Sequence, residues 1–593
     1  MIGTYAAVVA ICVASLAIGQ AAIGLYGGRR WSWLAPAVGL ALLCLICWWT
    51  VRLPGDGVAS AVVVLVLTVT SAAYLRGRLD GTGEALRVGL PVALGALLAA
   101  SLPFAVEGHF GILGTSFNPD MSQHLLAADR LAEGHDSQLL NQGYPLGPHS
   151  IVVALNKGLG IGLVQGFSGL TVAVAVLACL TALAAFAELP ALPRAAGALL
   201  VGLAYVVASY FAQGAFKETM QAVFLLAFVL ALREADRSWG DLPLRYVPAA
   251  LIAVGSIYTY SFPGLIWLGA AFVLYLLVKA VLAVGGDDAG PSPVGEGVVS
   301  EAGPAALALG LAAAVFAVLV LPELPRMLDF HSFETFDPNG PGLGNLFGQI
   351  SPFETLGIWP SGDFRLAAGD GAVPAVAYYL GIAFALALFT YGLVQLWRRR
   401  ETAILAGVGA AALAYLAARV AGTPYTSAKA IEIAAPLVAL TILLPLLSEA
   451  CRFPLAMRDK LDTRRLWAPV AAALFIAAAG ICSLLALANA PVGPTSYSSS
   501  LSEFRKLVGE GPTVVFASPQ LLEEEHGEPF LAWELRGGRV CIKSTEEPEV
   551  PAGVRFAIWD EGGWTLKRIS DPGPGKSPCP LVAERQARQG PAR

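Results

Sequence analysis

Asp120 and His124 stand four residues apart in the run Asn118-Pro119-Asp120-Met121-Ser122-Gln123-His124. On a helix that spacing puts a carboxylate and an imidazole on one face, with Met121, Leu125, Ala128 and Ala132 on another. A carboxylate so placed can take a proton from a hydroxyl. It can equally do no more than cap the helix N-terminus, as Asn118 could in its place. Cations are few on the same side of the chain: Arg130, Lys157, Lys217, Arg326, Arg365, Arg419 and Lys429. Each could hold a phosphate oxygen through charge-assisted hydrogen bonds. Lys217 beside Glu218, Arg419, and Lys429 in Pro424-Tyr425-Thr426-Ser427-Ala428-Lys429 close or open apolar runs, where snorkelling to lipid headgroups would explain them as well. His109, His124, His135, His149 and His331 fall in two polar segments, with only His526 elsewhere. Their spacing matches no common metal-ligand pattern, so no cofactor is expected, with a divalent metal as the open alternative. His124, Tyr144, His149, His331, Glu334 and Trp359 read instead as substrate contacts.

The elements that must hold these residues are membrane helices. With 593 residues, 56% hydrophobic and 14% charged, and a mean hydropathy of +0.65, the chain is not an ordinary soluble globule, whose charged share is about 25%. About fourteen apolar runs are long enough to cross ~30 Å of hydrocarbon. They lie near 4–26, 33–52, 57–75, 86–107, 167–188, 193–212, 217–233, 246–260, 262–283, 304–322, 372–395, 402–420, 428–448 and 466–488. Breaks at Gln213-Gly214 and Ser261-Phe262-Pro263 could be kinks within longer spans. Arg29-Arg30, Arg76, Arg78, Arg87, Arg233, Arg237, Arg245, Arg398-Arg399-Arg400, Arg452, Arg458, Lys460, Arg464 and Arg465 all thread to one side, the cytoplasmic one by the bias of short basic loops. The N-terminus, the loops 108–166 and 323–371 and the tail 489–593 are then expected outside. The first run lacks a basic start and reads as a retained helix rather than a cleaved signal. The tail changes composition and carries strand patterns at Thr513–Ala517, Arg539–Ile542 and Val554–Trp559 with helix near 500–508 and 521–525, a small α/β domain with a disordered end. Its Cys541 and Cys579 could form a disulfide in an oxidising compartment.

At the first polar loop the chain resembles a family. Pro119-Asp120, the helix with Ala127-Ala128 and its close at Leu131-Ala132-Glu133-Gly134 resemble the first extracytoplasmic loop of GT-C glycosyltransferases of the GT-C-A type. The nearest branch is that of the protein mannosyltransferases and lipid A aminoarabinose transferases. Tyr144-Pro145-Leu146-Gly147-Pro148 resembles the Pro-rich stretch before the next membrane helix, and Met121 stands where that family has a second acid. The resemblance implies a membrane module over 86–488, preceded by a three-helix addition over 1–85. It implies an inverting transfer from a polyprenyl-phosphate sugar to a glycan, lipid or protein acceptor. Asp120 would be the general base and Arg419, Lys429 and Lys217 the holders of the donor phosphate. Membrane lipids are the other expected partners, and no nucleic acid is. A multi-pass transporter or lipid flippase would share the span count but needs inverted repeats and ionisable groups at mid-bilayer, of which Glu432 is the main instance. A non-catalytic scaffold would leave the Asp and the cations without a task.

Overall fold

The structure, a computed structural model, describes residues 1–25, 30–115, 120–134, 138–237, 242–284, 297–330, 342–452, 467–509, 511–523, 527–546 and 548–570. The apolar runs fold as helices, because hydrocarbon leaves the backbone no partner but itself. Ten of the described helices are long and apolar enough to cross a membrane, or eleven if Ala191–Gly202 and Tyr205–Ala212, bent by 51°, make one crossing. The Val247–Val284 segment, 38 residues of continuous helix assignment, turns back on itself at Ser261, whose φ of 57° and ψ of −155° are not helical. A straight helix would hold Tyr246 and Tyr275 ~40 Å apart. Their hydroxyls instead lie 3.5 Å from each other, and Asp236 accepts from Tyr275 at 2.6 Å and from Lys279 at 2.7 Å. Pro263 supplies the break by removing an N–H and restricting Phe262 before it. Below the turn the Gln221 amide ties the two arms, donating to the Gly264 carbonyl at 3.1 Å and accepting from Ser256 at 2.7 Å. The arms therefore cross separately. Ala35–Thr50, shorter, and Phe216–Arg237, charged at its ends, also run end to end, giving about fourteen crossings among the described residues.

The helix array has two chemically distinct ends. At one, Arg233 and Arg237 share Glu401, with Arg233 Nε 2.9 Å from its carboxylate. Gln20 there contacts the Arg30 carbonyl and Arg30 pairs with Asp80. Arg398 closes the helix Ala375–Arg398 at the same end, and Arg399 and Arg400 follow it. At the opposite end Tyr5 donates to Ser101 at 3.0 Å, Trp48 to Glu323 at 2.8 Å and Tyr258 to the Leu319 carbonyl at 2.9 Å. The strand Ile112–Leu113 pairs antiparallel with Val492–Gly493, so the first polar loop and the start of the tail lie together at this second end. The first two helices share the apolar core of the rest, through residues such as Ile11, Leu40 and Trp48, and the third packs against it through Ala61, Val64 and Leu67.

The tail forms a four-stranded sheet ordered Val540–Ser544, Thr513–Ala517, Phe556–Asp560, Trp564–Arg568. The first three strands are parallel and the last antiparallel. Helices Ser499–Glu503, Arg505–Val508, Pro519–Glu523 and Gly527–Glu534 cover it. Val515, Leu531, Ile542 and Ile558 make one tail core, and Leu126 of the first polar loop packs against it. Cys541 is disulfide-bonded, and Cys579 lies outside the described residues.

Candidate active site

Four chain reversals meet at the end that carries the tail. The first is the start of the Met121–Ala132 helix, whose N-cap Asp120 has helical dihedrals and no side-chain capping bond. Met121, Leu125, Ala128 and Ala132 face inward there, as the amphipathic pattern requires. The second is Gly214, at φ +74° and so close to the Leu113 carbonyl that a Cβ would sit 2.6 Å from it. It turns the chain into Phe216–Arg237 and leaves Lys217 and Glu218 in the first helical turn. The third is the Ser261 turn, which presents Tyr260. The fourth is Thr423, whose hydroxyl caps Pro424–Cys451 by accepting from the Thr426 N–H at 3.2 Å, placing Lys429 in the second turn.

These reversals gather charge where apolar surroundings would exclude it. Lys429 Nζ lies 3.1 Å from Glu218, with side-chain exposures of 14% and 7%. Lys429 also sits 4.3 Å above the Tyr425 ring. Lys217 Nζ is 3.9 Å from the centre of the Tyr144 ring and 5.8 Å from that of Tyr260. Tyr260 donates to Glu218 at 3.5 Å. Asp120 is within electrostatic reach of Lys217, Lys429 and Tyr497. Glu432, one turn beyond Lys429, is fully buried and neither carboxyl oxygen has a hydrogen-bond partner. A site with a partly exposed carboxylate and two ammonium groups can deprotonate a hydroxyl and stabilise a phosphate leaving group.

Beside it, His124 Nδ1 and His149 Nε2 lie 3.1 Å apart. Both rings are boxed by Tyr144, Phe167 and Phe216, with centroids at 5.9 Å for His124 and Tyr144 and 5.4 Å for His149 and Phe167. Burial lowers the His149 pKa from 6.5 to about 3, which keeps that ring neutral beside His124. The helix Gly147–Leu159 that carries His149 packs against Met121–Ala132 and, at 13 residues, is too short to span ~30 Å of hydrocarbon.

The structure thus brings together Asp120, Lys217, Lys429, Tyr144, His124 and His149. Arg419 stands apart, exposed on the last turn of Thr402–Ala421. Trp359 is buried against Tyr378, with ring centroids 4.8 Å apart. His331 and Glu334 lie outside the described residues. Other candidate cations are matched by acids: Lys157 by Glu133 at 2.8 Å, Arg326 by Glu323 at 2.9 Å and Arg365 by Asp363 at 2.7 Å. Glu218, Tyr260 and Glu432 were not singled out as site residues from sequence, although an acid at the end of or within an apolar run is the signal that marks Glu218 and Glu432; Tyr260 carries no such signal. No group of three or more His, Cys, Asp or Glu among the described residues is arranged to hold a metal ion.

No family model and no curated protein matches the chain. Among solved structures it is similar to the arabinofuranosyltransferase AftD from Mycobacteria, at 15% identity and a TM-score of 0.44 over 73% of this chain and 30% of that one. It is also similar to the archaeal oligosaccharyltransferase AglB from Archaeoglobus fulgidus, solved with an inhibitory peptide and a dolichol-phosphate, at 14% identity and a TM-score of 0.37 over 80% of this chain and 69% of that one. The chain spans under a third of the length of AftD.

Proposed function

We propose that the protein is an integral membrane glycosyltransferase that moves a sugar from a polyprenyl-phosphate donor to a hydroxyl-bearing acceptor outside the cytoplasm. The observation that carries this reading is the meeting of Asp120 with Lys217 and Lys429 at the helix ends opposite the arginine-rich loops. Asp120 takes the proton of the acceptor hydroxyl as that oxygen attacks the anomeric carbon. The bond from that carbon to the phosphate oxygen breaks on the opposite face, with inversion. The departing lipid phosphate then gains negative charge, which Lys217 and Lys429 neutralise in a site of low dielectric. Lys429 already holds Glu218, so the phosphate competes with that carboxylate for the ammonium. The GT-C resemblance of the first loop supports the same assignment.

Asp120→Asn tests it. The amide keeps the size of the side chain but cannot act as a base, so transfer should fall by roughly a hundredfold or more while folding is unchanged. Transfer retained in Asp120→Asn would place the base elsewhere, with Asp129 and Asp329 next to examine. Cysteine labelling that put Asp120 on the cytoplasmic side would end the proposal, since the donor would then face the wrong compartment. A transporter remains the second reading because Glu432 is a fully buried acid without a hydrogen-bond partner inside a membrane helix. Substrate flux in proteoliposomes that is lost in Glu432→Gln and unaffected by Asp120→Asn would favour it.

A further inference from the structure

A cleft of about 410 Å³ opens between the Met121–Ala132 helix and the tail. It lies on the other side of that helix from the proposed base: Asp129 is nine residues beyond Asp120, hence ~180° around the helix axis and ~13 Å along it. The cleft is of the size that binds small ligands, yet its walls are mostly polar. Asn156 and Gln165 line it from the membrane module, Asp129 from the loop helix, and Arg505, Arg536 and Trp533 from the tail. The Arg536 guanidinium sits 3.7 Å over the Trp533 ring. Arg505 donates to the Glu534 carbonyl at 2.7 Å and lies 3.6 Å from the Glu534 carboxylate. Trp533 is buried, and its indole N–H has no hydrogen-bond partner.

Charge and geometry narrow the ligand. The two arginines are balanced by Asp129 and Glu534, and Glu133 on the rim is balanced by Lys157. A strongly anionic ligand would have to displace these acids, and a lipid chain would find little apolar wall. Planar amide, carboxylate and guanidinium groups, each with paired donors or acceptors, fit the adjacent hydroxyls of a sugar.

We propose that this cleft is a second, non-catalytic carbohydrate site, which holds an uncharged stretch of saccharide chain against the tail while another part reaches the far face of the loop helix. That the bound chain is the acceptor rests on the glycosyltransferase reading; the binding itself does not. The arrangement gives the tail a substrate-holding task and makes the Met121–Ala132 helix the wall between two subsites.

Full-length protein in detergent, titrated with uncharged arabinan, mannan and glucan hexasaccharides and followed by saturation-transfer NMR, tests the proposal. At least one hexasaccharide should bind. The double substitution Asn156→Ala with Gln165→Ala should weaken it roughly tenfold, as should Ser502→Trp, which fills the cleft from the tail side without touching the membrane module. Thermal unfolding checks that both variants are folded, and Asp120→Asn should bind like the unaltered protein. Failure of every hexasaccharide to bind, binding unchanged in both cleft variants, or displacement by an acidic peptide in place of saccharide would each overturn it. Saccharide binding that survives alongside a protein incapable of transfer would uphold the cleft and sink the enzyme reading, so the two fail separately.

Discussion

Replacing Lys429 separates a structural task, holding Glu218, from the proposed one of holding the donor phosphate. Lys429 and Glu218 are 3.1 Å apart and almost out of solvent, so Lys429→Met leaves a carboxylate desolvated beside Lys217 alone. Removing one partner of a buried pair costs about 3–5 kcal/mol, most of it the penalty of the stranded charge. Glu218→Gln in the same chain removes that charge, and the double variant should return to within ~1 kcal/mol of the original, because a well-packed neutral pair is often no worse than an ionic one. Thermal unfolding in detergent reads this cycle. Transfer from a panel of polyprenyl-phosphate sugars reads the other half: Lys429→Met and the double variant should both lose donor use by at least roughly tenfold, since a charge-assisted phosphate contact contributes ~1.5–3 kcal/mol. A double variant that is stable and transfers sugar at the original rate would refute the reasoning, because Lys429 would then serve only to neutralise Glu218.

Three further outcomes follow from the same geometry. Lys217→Met should raise the KM for donor roughly tenfold, whereas Arg419→Ala, exposed at its helix end, should change it by less than about threefold; equal effects in a donor titration would reverse these roles. Burial holds the His149 pKa at about 3 against 6.5, so as pH falls below 6.5 the unfolded chain takes the proton first and stability drops toward pH 3 by at most ~1.4 kcal/mol per pH unit. His149→Gln should flatten that slope in pH-dependent unfolding, and an unchanged slope would show that His149 is not its source. Arg326 donates to the Leu140 and Tyr144 carbonyls at 2.9 and 2.7 Å and pairs with Glu323, so Arg326→Ala should cost ~3 kcal/mol or more and raise donor KM by loosening Tyr144 beneath Lys217, while an intact KM would uncouple the two.

The spans were legible because length and hydropathy alone define them: each break named from sequence, at Gln213-Gly214 and Ser261-Phe262-Pro263, is a real reversal or bend. Three tail strands were legible from their β-branched runs. Trp564–Arg568 was not, because it is a half-exposed edge strand whose Thr, Lys and Arg alternate with apolar residues as they do in loops. Gly527–Glu534 was hidden by Gly and Pro at its start. Asp120, Lys217 and Lys429 could be picked out one by one as charges at the rims of apolar runs. Their grouping could not, since it depends on which helices are neighbours. The ion pair of Lys429 with Glu218, the ring pair of His124 with His149 and the bond from Trp48 to Glu323 all join segments remote in sequence. The cap and the base readings of Asp120 were equally good from sequence, and in the structure its side chain makes no capping bond to the helix it begins.

Two of the breaks in this chain's helices, at Gly214 and Ser261, lie beside the candidate site, and membrane physics explains how they persist. A broken helix in hydrocarbon exposes N–H and C=O groups that lipid cannot satisfy, so breaks persist only where protein covers them. At the hairpin the Gln221 side chain covers one such break, binding the Gly264 carbonyl and Ser256 below the turn. Ser261 itself holds a left-handed φ that a non-glycine residue adopts at a cost of about 1–3 kcal/mol. That turn brings Tyr260 against Glu218 and within 5.8 Å of Lys217. At Gly214 the same result comes from the absence of a Cβ, with Leu113 of the loop strand pressed onto the turn. Because Leu113 pairs with Val492 at the start of the tail, and Leu126 beyond Asp120 packs into the tail core, the segment bearing Asp120 is fixed on both sides by the tail. Position of Asp120 and position of the tail are therefore one mechanical quantity: a displacement of the sheet domain moves Asp120 relative to Lys217 and Lys429, whose helices are anchored in the membrane core.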